Sequence, residues 1–399
     1  MRYAISTTSL MLFLLWPIQA QEIPSPVPPV EVHAVSPERV TTAESNYLSE
    51  LSHRGLNPVS QGLLIESLDG STIFADHQSD VAFNPASVIK LATSFTALQK
   101  FGPDFHFETA FYAAGVIDKK TRTLNGDLIL LGTGDPVLST LDVNKLVQDV
   151  IRSGVARVTG SLIVTGPFTY ASYLNTADGT RHLKLVAAKL GLRVPTVINK
   201  TLSITSLRAT KISTHTSASL KDILKQQNAR SVNNTAERVG EAVGGPTGVE
   251  DFLITTLGIP AAEVKISRTS GLDMNRLTPR GTIHMLQEMV TWLAKRDMNP
   301  QDIMPIAGID AGTLQSRFRS DDYRGAVVGK TGTLPATDGG VSALAGIIYT
   351  KLRGPILFAI FNSQGSVAMY RQLQDNLVKE LIVESGGPQA STGMRRSAN

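Results

Sequence analysis

Strand-forming sequence stands at both ends of this chain and helical sequence fills most of the middle, a layout that few folds satisfy. Near the start, Gly62 to Ser67 and Thr72 to Asp76 flank Asp69-Gly70, a hairpin signal. Near the end, Ala326 to Leu334, Val341 to Thr350 and Pro355 to Asn362 alternate and carry β-branched residues, with Asp338-Gly339-Gly340 and Arg353-Gly354 between them. They predict a three-strand antiparallel meander. Five strands from two distant segments, in one antiparallel sheet flanked by helices, make an α/β domain whose two ends meet.

Helical periodicity is clearest after Asn84-Pro85-Ala86-Ser87. Asn84 suits a cap and Pro85 a first turn, and Val88, Leu91, Ala92, Phe95 and Leu98 then recur on one face, which should be the buried face, before Gly102-Pro103 ends the helix. Further helices are expected over 45–52, 182–190, 220–229, 235–243, 249–257, 279–294 and 369–383. Between Phe105 and Thr180 the pattern changes to short strands at 105–112, 127–131 and 158–164 with one helix near 143–151, which predicts a small inserted α+β subdomain. Gly132-Thr133-Gly134-Asp135-Pro136 lacks the lysine and spacing of a phosphate loop and reads as a turn.

The first 20 residues resemble an export signal. Arg2 starts it, Leu10 to Trp16 is an apolar stretch shorter than the roughly 20 residues of a spanning helix, and Ile18-Gln19-Ala20 offers a cleavage site. The competing reading is a retained anchor; with the signal removed, no stable membrane span is expected. Residues 21–40 carry five prolines and read as an extended leader. The mature chain of about 380 residues suits two domains, or one domain with an insertion. The absence of cysteine excludes disulfides, thiol catalysis and zinc-thiolate sites. A net charge of +4 with scattered basic residues argues against a nucleic-acid partner. His33, His53, His77, His106, His182, His215 and His284 have no metal-ligand spacing, so no metal is expected.

Three short motifs follow one another: Ser87-Val88-Ile89-Lys90, Ser231-Val232-Asn233 and Lys330-Thr331-Gly332. The first and third each occur once; Ser-x-Asn recurs at Ser397-Ala398-Asn399, so order and spacing carry the signal. Ser87 and Lys90, three apart at a helix start, share one face. A serine hydroxyl needs a base before it attacks, and a lysine serves only when neutral, against a reference pKa of about 10.4. Burial and a second cation, for which Lys330 is the candidate, would lower it. The bland alternatives are a capped helix with a surface lysine, an N-cap from Ser231 or Asn233 for the next helix, and an edge-strand lysine. Strand alternation puts Lys330 and Gly332 on one face and Thr331 and Thr333 on the other, so twist or a bulge is needed to bring the threonines to the same site.

The motif set resembles that of low-molecular-mass class C penicillin-binding proteins, the D-alanyl-D-alanine carboxypeptidase/endopeptidase family. The resemblance covers about residues 55–385 and includes Phe83-Asn84-Pro85-Ala86-Ser87, Gly126-Asp127-Leu128, Gly134-Asp135-Pro136, Arg268-Thr269-Ser270-Gly271-Leu272, Asn275-Arg276, Leu314 with Arg317, and Val341 to Gly346. It implies a serine β-lactamase/D,D-peptidase-like domain from 41–104 and 181–385, an inserted subdomain over 105–180, and a flexible tail over 386–399. It implies Ser87 as acylated nucleophile, Lys90 as base, Ser231 as proton relay, and Asn233, Lys330, Thr331, Gly332 and Thr333 as substrate-binding residues. Lys330 would favour the terminal carboxylate, Gly332 would admit substrate backbone, and the N–H groups of Ser87 and Thr333 would form the oxyanion hole. No cofactor is needed. Peptidoglycan stem peptides would be the substrate and β-lactams covalent inhibitors, in a periplasmic or other extracytoplasmic bacterial compartment.

Three departures stand out. Ser231 stands 144 positions after Ser87, more than in a class A β-lactamase but fewer than in the full family pattern, which implies that a second nested insertion is missing or reduced. Val164 stands where the family usually has an aspartate facing the substrate's amino-bearing side chain, and six residues, 335–340, separate the Lys-Thr-Gly-Thr strand from Val341. Two other functions remain open: a serine β-lactamase, for which Glu263 is the only carboxylate near the place of a deacylating glutamate although no Glu-x-x-Leu-Asn pattern surrounds it, and a penicillin-binding protein that acylates without turnover.

Overall fold

The computed structural model describes residues 42–173, 175–203 and 208–391. The expected signal and leader fall outside these residues, as does the tail from 392. The described chain opens with α1 (Ala43–His53), followed by the hairpin β1 (Gln61–Ser67) and β2 (Ile73–His77) and by α2 (Ile89–Phe101). The strands and helices β3 (Glu108–Asp118), β4 (Thr123–Gly132), α3 (Thr140–Arg152), β5 (Arg157–Val158), β6 (Ser161–Thr165), α4 (Thr176–Leu190), β7 (Thr196–Asn199) and β8 (Thr210–Thr216) come next. Helices α5 (Leu220–Arg230), α6 (Asn233–Ala242) and α7 (Gly245–Asp251) precede a small ribbon, β9 (Val264–Lys265) with β10 (Arg276–Leu277). The chain closes with α8 (Pro279–Ala294), β11 (Val327–Leu334), β12 (Val341–Thr350), β13 (Gly354–Asn362) and α9 (Val367–Glu384).

The two ends do meet. The main sheet runs β11-β12-β13-β1-β2 and every pairing is antiparallel. Alternation gives it two apolar faces. Val328, Ala343, Ala345 and Phe361 pack with α2 and α8, while Val327, Leu344, Ile348 and Ile360 pack with α1 and α9. Burial on both sides explains why β12 carries no exposed residue.

Helix α2 departs from the one-faced burial that its periodicity predicts. Every residue from Ile89 to Leu98 is buried, because α5 and α6 cover the flank that the sheet does not. Its polar side chains are satisfied inside the core: Thr93 donates to the Thr269 carbonyl, and Ser94 Oγ accepts from the amides of Gln227 and Asn228. Buried polar groups left unpaired would each cost about 1–3 kcal/mol, so this network fixes the helix in register.

The second sheet, β7-β6-β4-β3-β8 with β5 beside β4, has its own core with α3 and α4. It takes strands as far as Thr216, so α4, β7 and β8 belong with it, beyond the boundary at 180 drawn from sequence. The tail also starts later than expected: Lys351 N donates to the Gly387 carbonyl, Gln389 N to Tyr349 and Ser391 N to Gly325, and Ser391 is 1% exposed. Residues 386–391 are therefore docked through backbone bonds that a polar composition does not reveal.

Val164 is 1% exposed and lies inside the second core with Leu162, Leu130 and Phe168. Leu162 and Val164, two apart on β6, point to the same apolar face. It does not face the cleft, so the family's substrate-facing aspartate has no counterpart at this position, and the residue serves the packing of the inserted subdomain.

Candidate active site

The turn that carries Ser87 is built by its neighbours. Asn84 Oδ1 accepts from Ala86 N at 3.0 Å, Ala86 adopts a left-handed φ of 46°, and Ala86–Val88 forms a 3-10 turn that runs into α2. A non-glycine residue in that region stores strain, which the surrounding contacts must hold. Gly332 supplies part of that hold. A Cβ there would meet the Pro85 carbonyl oxygen at 2.5 Å and Ala86 Cβ at 2.9 Å. Its bareness is needed for β11 to lie against the Ser87 turn, rather than for substrate backbone as the sequence reading has it. Gly271 grips the same turn from the other side, since a Cβ there would lie 2.0 Å from the Ala86 carbonyl oxygen.

Lys90 Nζ is the hub. It lies 2.8 Å from Ser87 Oγ and donates to Asn233 Oδ1 at 2.8 Å and, in a very short contact, to the Ser270 carbonyl. Lys90 is fully buried, and burial pushes its ammonium down to about 7 while the Glu237 carboxylate pulls the other way. Near neutrality a substantial fraction of Lys90 is a free amine.

The second motif is shaped by backbone. Ser231 caps α5 in the left-handed conformation, with φ 56°, and Val232 begins α6 without a side-chain cap. The N-cap roles open to Ser231 and Asn233 are thus unused, and both side chains point elsewhere. Ser231 Oγ accepts from Lys330 Nζ at 3.0 Å.

Lys330 differs from its expected role. Its side chain is fully buried and donates to Ser231 Oγ and to the Thr331 carbonyl at 2.7 Å, so it offers no ammonium at the cleft surface. Burial, then the charge of Lys90, holds it well below the ordinary lysine range. The two lysines cannot both carry charge cheaply in this setting.

Thr331 and Thr333 reach the cleft without a bulge, since β11 pairs β12 in unbroken register from Val327 to Leu334. Strand β11 is the sheet edge, and its outer side is open beyond residue 329. Gly329 N donates outward to the Pro305 carbonyl. Alternation then turns the N–H groups of Thr331 and Thr333 outward too, over the open cleft. Thr331 Oγ1 donates to Thr313 Oγ1 at 2.7 Å, and Thr333 Oγ1 accepts from Arg371 at 2.8 Å.

One cleft of about 520 Å³ joins these groups, lined by Ser87, Ser231, Asn233, Thr331 and Thr333 together with Leu272, Gly312, Thr313, Ser316, Arg317 and Arg371. Lys90 and Lys330 lie beneath its floor, and Gly332 sits behind the turn. Among the described residues no cluster of metal-ligating side chains is present.

Several contributors carry no motif. Glu237 accepts from Ser270 N at 3.3 Å, Thr269 Oγ1 at 3.2 Å and Arg268 Nε at 3.1 Å, beneath the carbonyl that holds Lys90. Burial raises its pKa, but these donors outweigh it and leave Glu237 ionised below the usual range. Its place four residues after Asn233, on the same face of α6, was the available signal. Asn275 organises the loop that presents Ser270, accepting from the N–H groups of Ser267 and Arg268. Arg276 clamps Asp338 with two bonds of 3.0 and 3.2 Å, which ties the long 335–340 connection to that loop. Glu263 takes the hydroxyl of Thr278, the N-cap of α8, and does not line the cleft.

The profile of the family described as D-Ala-D-Ala carboxypeptidase 3 (S13) matches residues 49–167 and 172–381, most of the chain. The chain belongs to this family. It is a serine-type D-Ala-D-Ala carboxypeptidase, a hydrolase of the low-molecular-mass class C penicillin-binding group. Among curated relatives of this S13 chain, the D-alanyl-D-alanine carboxypeptidase of Actinomadura sp. (strain R39) is 24% identical, with 84% of this chain and 83% of the relative covered. Carboxypeptidase DacB of Mycolicibacterium smegmatis is 31% identical over half of this chain and 45% of the relative. The fold matches penicillin binding protein 4 (dacB) of Haemophilus influenzae, with TM-score 0.70, 19% identity, and 86% and 100% of the two chains covered. It also matches the penicillin G-acylated predatory endopeptidase Bd3459 of Bdellovibrio bacteriovorus, with TM-score 0.65, 21% identity, and 82% and 93% covered.

Proposed function

We propose that Ser87 is the nucleophile by which this chain cleaves the terminal D-Ala-D-Ala bond of peptidoglycan stem peptides. The observation that carries this reading is the 2.8 Å approach of Lys90 Nζ to Ser87 Oγ in a site that buries the lysine and lowers its pKa to about 7. Neutral Lys90 takes the Ser87 proton as Oγ attacks the carbonyl of the penultimate D-alanine. The developing oxyanion lies between the N–H groups of Ser87 and Thr333, and losing one such donor typically costs roughly 10²–10³ in rate. The Ser231 hydroxyl protonates the leaving amine and takes a proton back from the lysine pair, which has just gained that of Ser87. D-Alanine departs, leaving an acyl-serine ester. Water then attacks the ester as neutral Lys90 accepts its proton; the Oγ–acyl bond breaks, Lys90 returns that proton to Ser87 Oγ 2.8 Å away, and the shortened peptide leaves as its acid.

Asn233 holds Lys90 and meets the substrate backbone, and Thr331 and Thr333 meet the substrate's carboxyl end. Gly332 is needed for the geometry of the turn. A β-lactam presents a carboxylate and a reactive carbonyl to the same groups, so covalent inhibition at Ser87 follows; H. influenzae penicillin binding protein 4 is known in complex with a β-lactam. The site of action is an extracytoplasmic bacterial compartment where peptidoglycan lies, after removal of an N-terminal signal. Among the described residues no helix is long and apolar enough to cross a membrane.

Comparing release of D-alanine from a D-Ala-D-Ala stem peptide with hydrolysis of a penicillin tests this reading. Peptide turnover with a long-lived penicilloyl adduct supports it. Rapid penicillin turnover with an inert peptide would make the chain a β-lactamase. Acylation without turnover of either would make it a binding protein.

A further inference from the structure

The cleft lacks a cation where the motif leads one to expect it, because Lys330 is buried under the floor. One guanidinium stands in its place. Arg371, on the cleft-facing side of α9, is exposed, donates to Thr333 Oγ1 at 2.8 Å and lines the cleft with Ser87. Its neighbour Arg317 is committed elsewhere: it is buried and pairs with Asp375 at 2.6 Å and with Gln374 at 3.2 Å. Asp375 lies one turn along α9 from Arg371, but its carboxylate is engaged by Arg317. Among the described residues no carboxylate lies within ion-pair distance of Arg371.

The surroundings of this guanidinium are donor-rich. The hydroxyls of Thr313, Thr331, Ser316 and Thr333 line the same stretch; Thr331 donates to Thr313 at 2.7 Å, Thr333 to the Gly332 carbonyl at 2.8 Å and Thr313 to the Ala229 carbonyl at 3.5 Å, and each hydroxyl can rotate toward an incoming anion. Among the described residues no acidic side chain lines the cleft. Hydroxyl donors around one unpaired, always charged guanidinium suit a carboxylate in their midst. A substrate bound before acylation with its penultimate carbonyl at Ser87 and toward Thr333 N carries its terminal carboxylate one residue further on, along the side of the cleft that these hydroxyls line.

We propose that Arg371 is the charge that binds the terminal α-carboxylate of the substrate, a role that the motif lysine is too buried to fill. The inference rests on the peptidase reading above. It makes α9, the last helix of the chain, part of the substrate site, and it makes a free C-terminal acid a requirement set from outside the three motifs.

The test uses one stem-like peptide ending in D-Ala-D-Ala in two forms, the free acid and the C-terminal amide, and reads the ratio of their kcat/KM values. Arg371→Gln keeps a donor for Thr333 but removes the charge, and glutamine is a good helix former, so α9 persists. The expected result is a fall in that ratio of about 10- to 100-fold, as for loss of a charged hydrogen bond. Arg371→Lys should recover part of it. An unchanged acid-to-amide ratio in Arg371→Gln would overturn the inference. So would an equal loss on both peptides, since Arg371 would then act only by positioning Thr333. A wild-type protein that cleaves neither peptide would instead overturn the peptidase reading on which the inference stands.

Discussion

Lys90 Nζ donates to Asn233 Oδ1 at 2.8 Å across 143 residues of sequence, and this bond joins the helix that carries the nucleophile to the second motif. Both partners owe their positions to features around them. Lys90 sits on a helix buried on every side, and Asn233 opens α6 immediately after the left-handed Ser231. The inserted sheet between them can therefore be present without disturbing the site, since the motifs meet through α2, α5 and α6.

The pH dependence of acylation follows from Lys90. Its free amine is the active form, and its pKa lies at about 7. The rate constant for acylation by a β-lactam should fall tenfold per unit below about pH 6 and level off above about pH 8. Stopped-flow acylation across this range checks it; a flat profile from pH 5 to 9 would exclude Lys90 as the base.

The same burial has a cost in stability. A lysine whose folded pKa lies below its unfolded value binds fewer protons when folded. Stability therefore rises with pH between about 7 and the unfolded value, and the penalty is fully present below 7. Lys90→Met removes a buried charge that costs on the order of a few kcal/mol. The variant should be inactive yet melt no lower than wild type at pH 6, and the difference should shift in favour of the wild type as pH rises to 10. Thermal melts at the two pH values decide this.

Glu237 holds the proton on Lys90 by its charge. Glu237→Gln keeps acceptor and donor groups near Ser270 and Thr269 but removes that charge. The acid limb of the acylation profile should move to lower pH. A limb that moves upward would show that Glu237 acts on the site in another way.

Much of this architecture was legible in the sequence. The hairpin and the meander are found within one or two residues of their expected limits, and α8 occupies Pro279–Ala294 as expected. Those segments have strong local signals: Asp69-Gly70, alternation, and Pro279 after the capping Thr278. The serines and lysines of the motifs were legible because their chemistry needs fixed residue types. The contribution of Arg371 was not, since an arginine on an amphipathic helix looks like any solvated charge until α9 is laid against β11. Val164 shows the opposite error. A resemblance placed it in a cleft, but the pleat of β6 turns it into a core. The role of Gly332 also depended on a contact between two distant segments that no local pattern encodes.

Two substitutions test those packing relations. Gly332→Ala places a methyl group 2.5 Å from the Pro85 carbonyl oxygen, so β11 or the Ser87 turn must shift. A loss of about 1–3 kcal/mol and a large fall in acylation are expected together. Normal acylation in a stable Gly332→Ala protein would mean that the turn is looser than described.

Val164→Asp, in contrast, should leave substrate preference alone and weaken the inserted core, since an unpaired carboxylate at a site 1% exposed is strongly disfavoured. Limited proteolysis within 108–216 should accelerate. A change in preference between stem peptides with free and acylated side-chain amines, with no loss of stability, would return residue 164 to the cleft.

The central claim is that Ser87 is the acylated residue, and intact-mass analysis after incubation with penicillin tests it most directly. The wild type should gain one penicilloyl mass, mapped by peptide digestion to the segment containing Ser87, and Ser87→Ala should gain none. An adduct of the same mass on Ser87→Ala, or one mapped elsewhere in the wild type, would contradict the account.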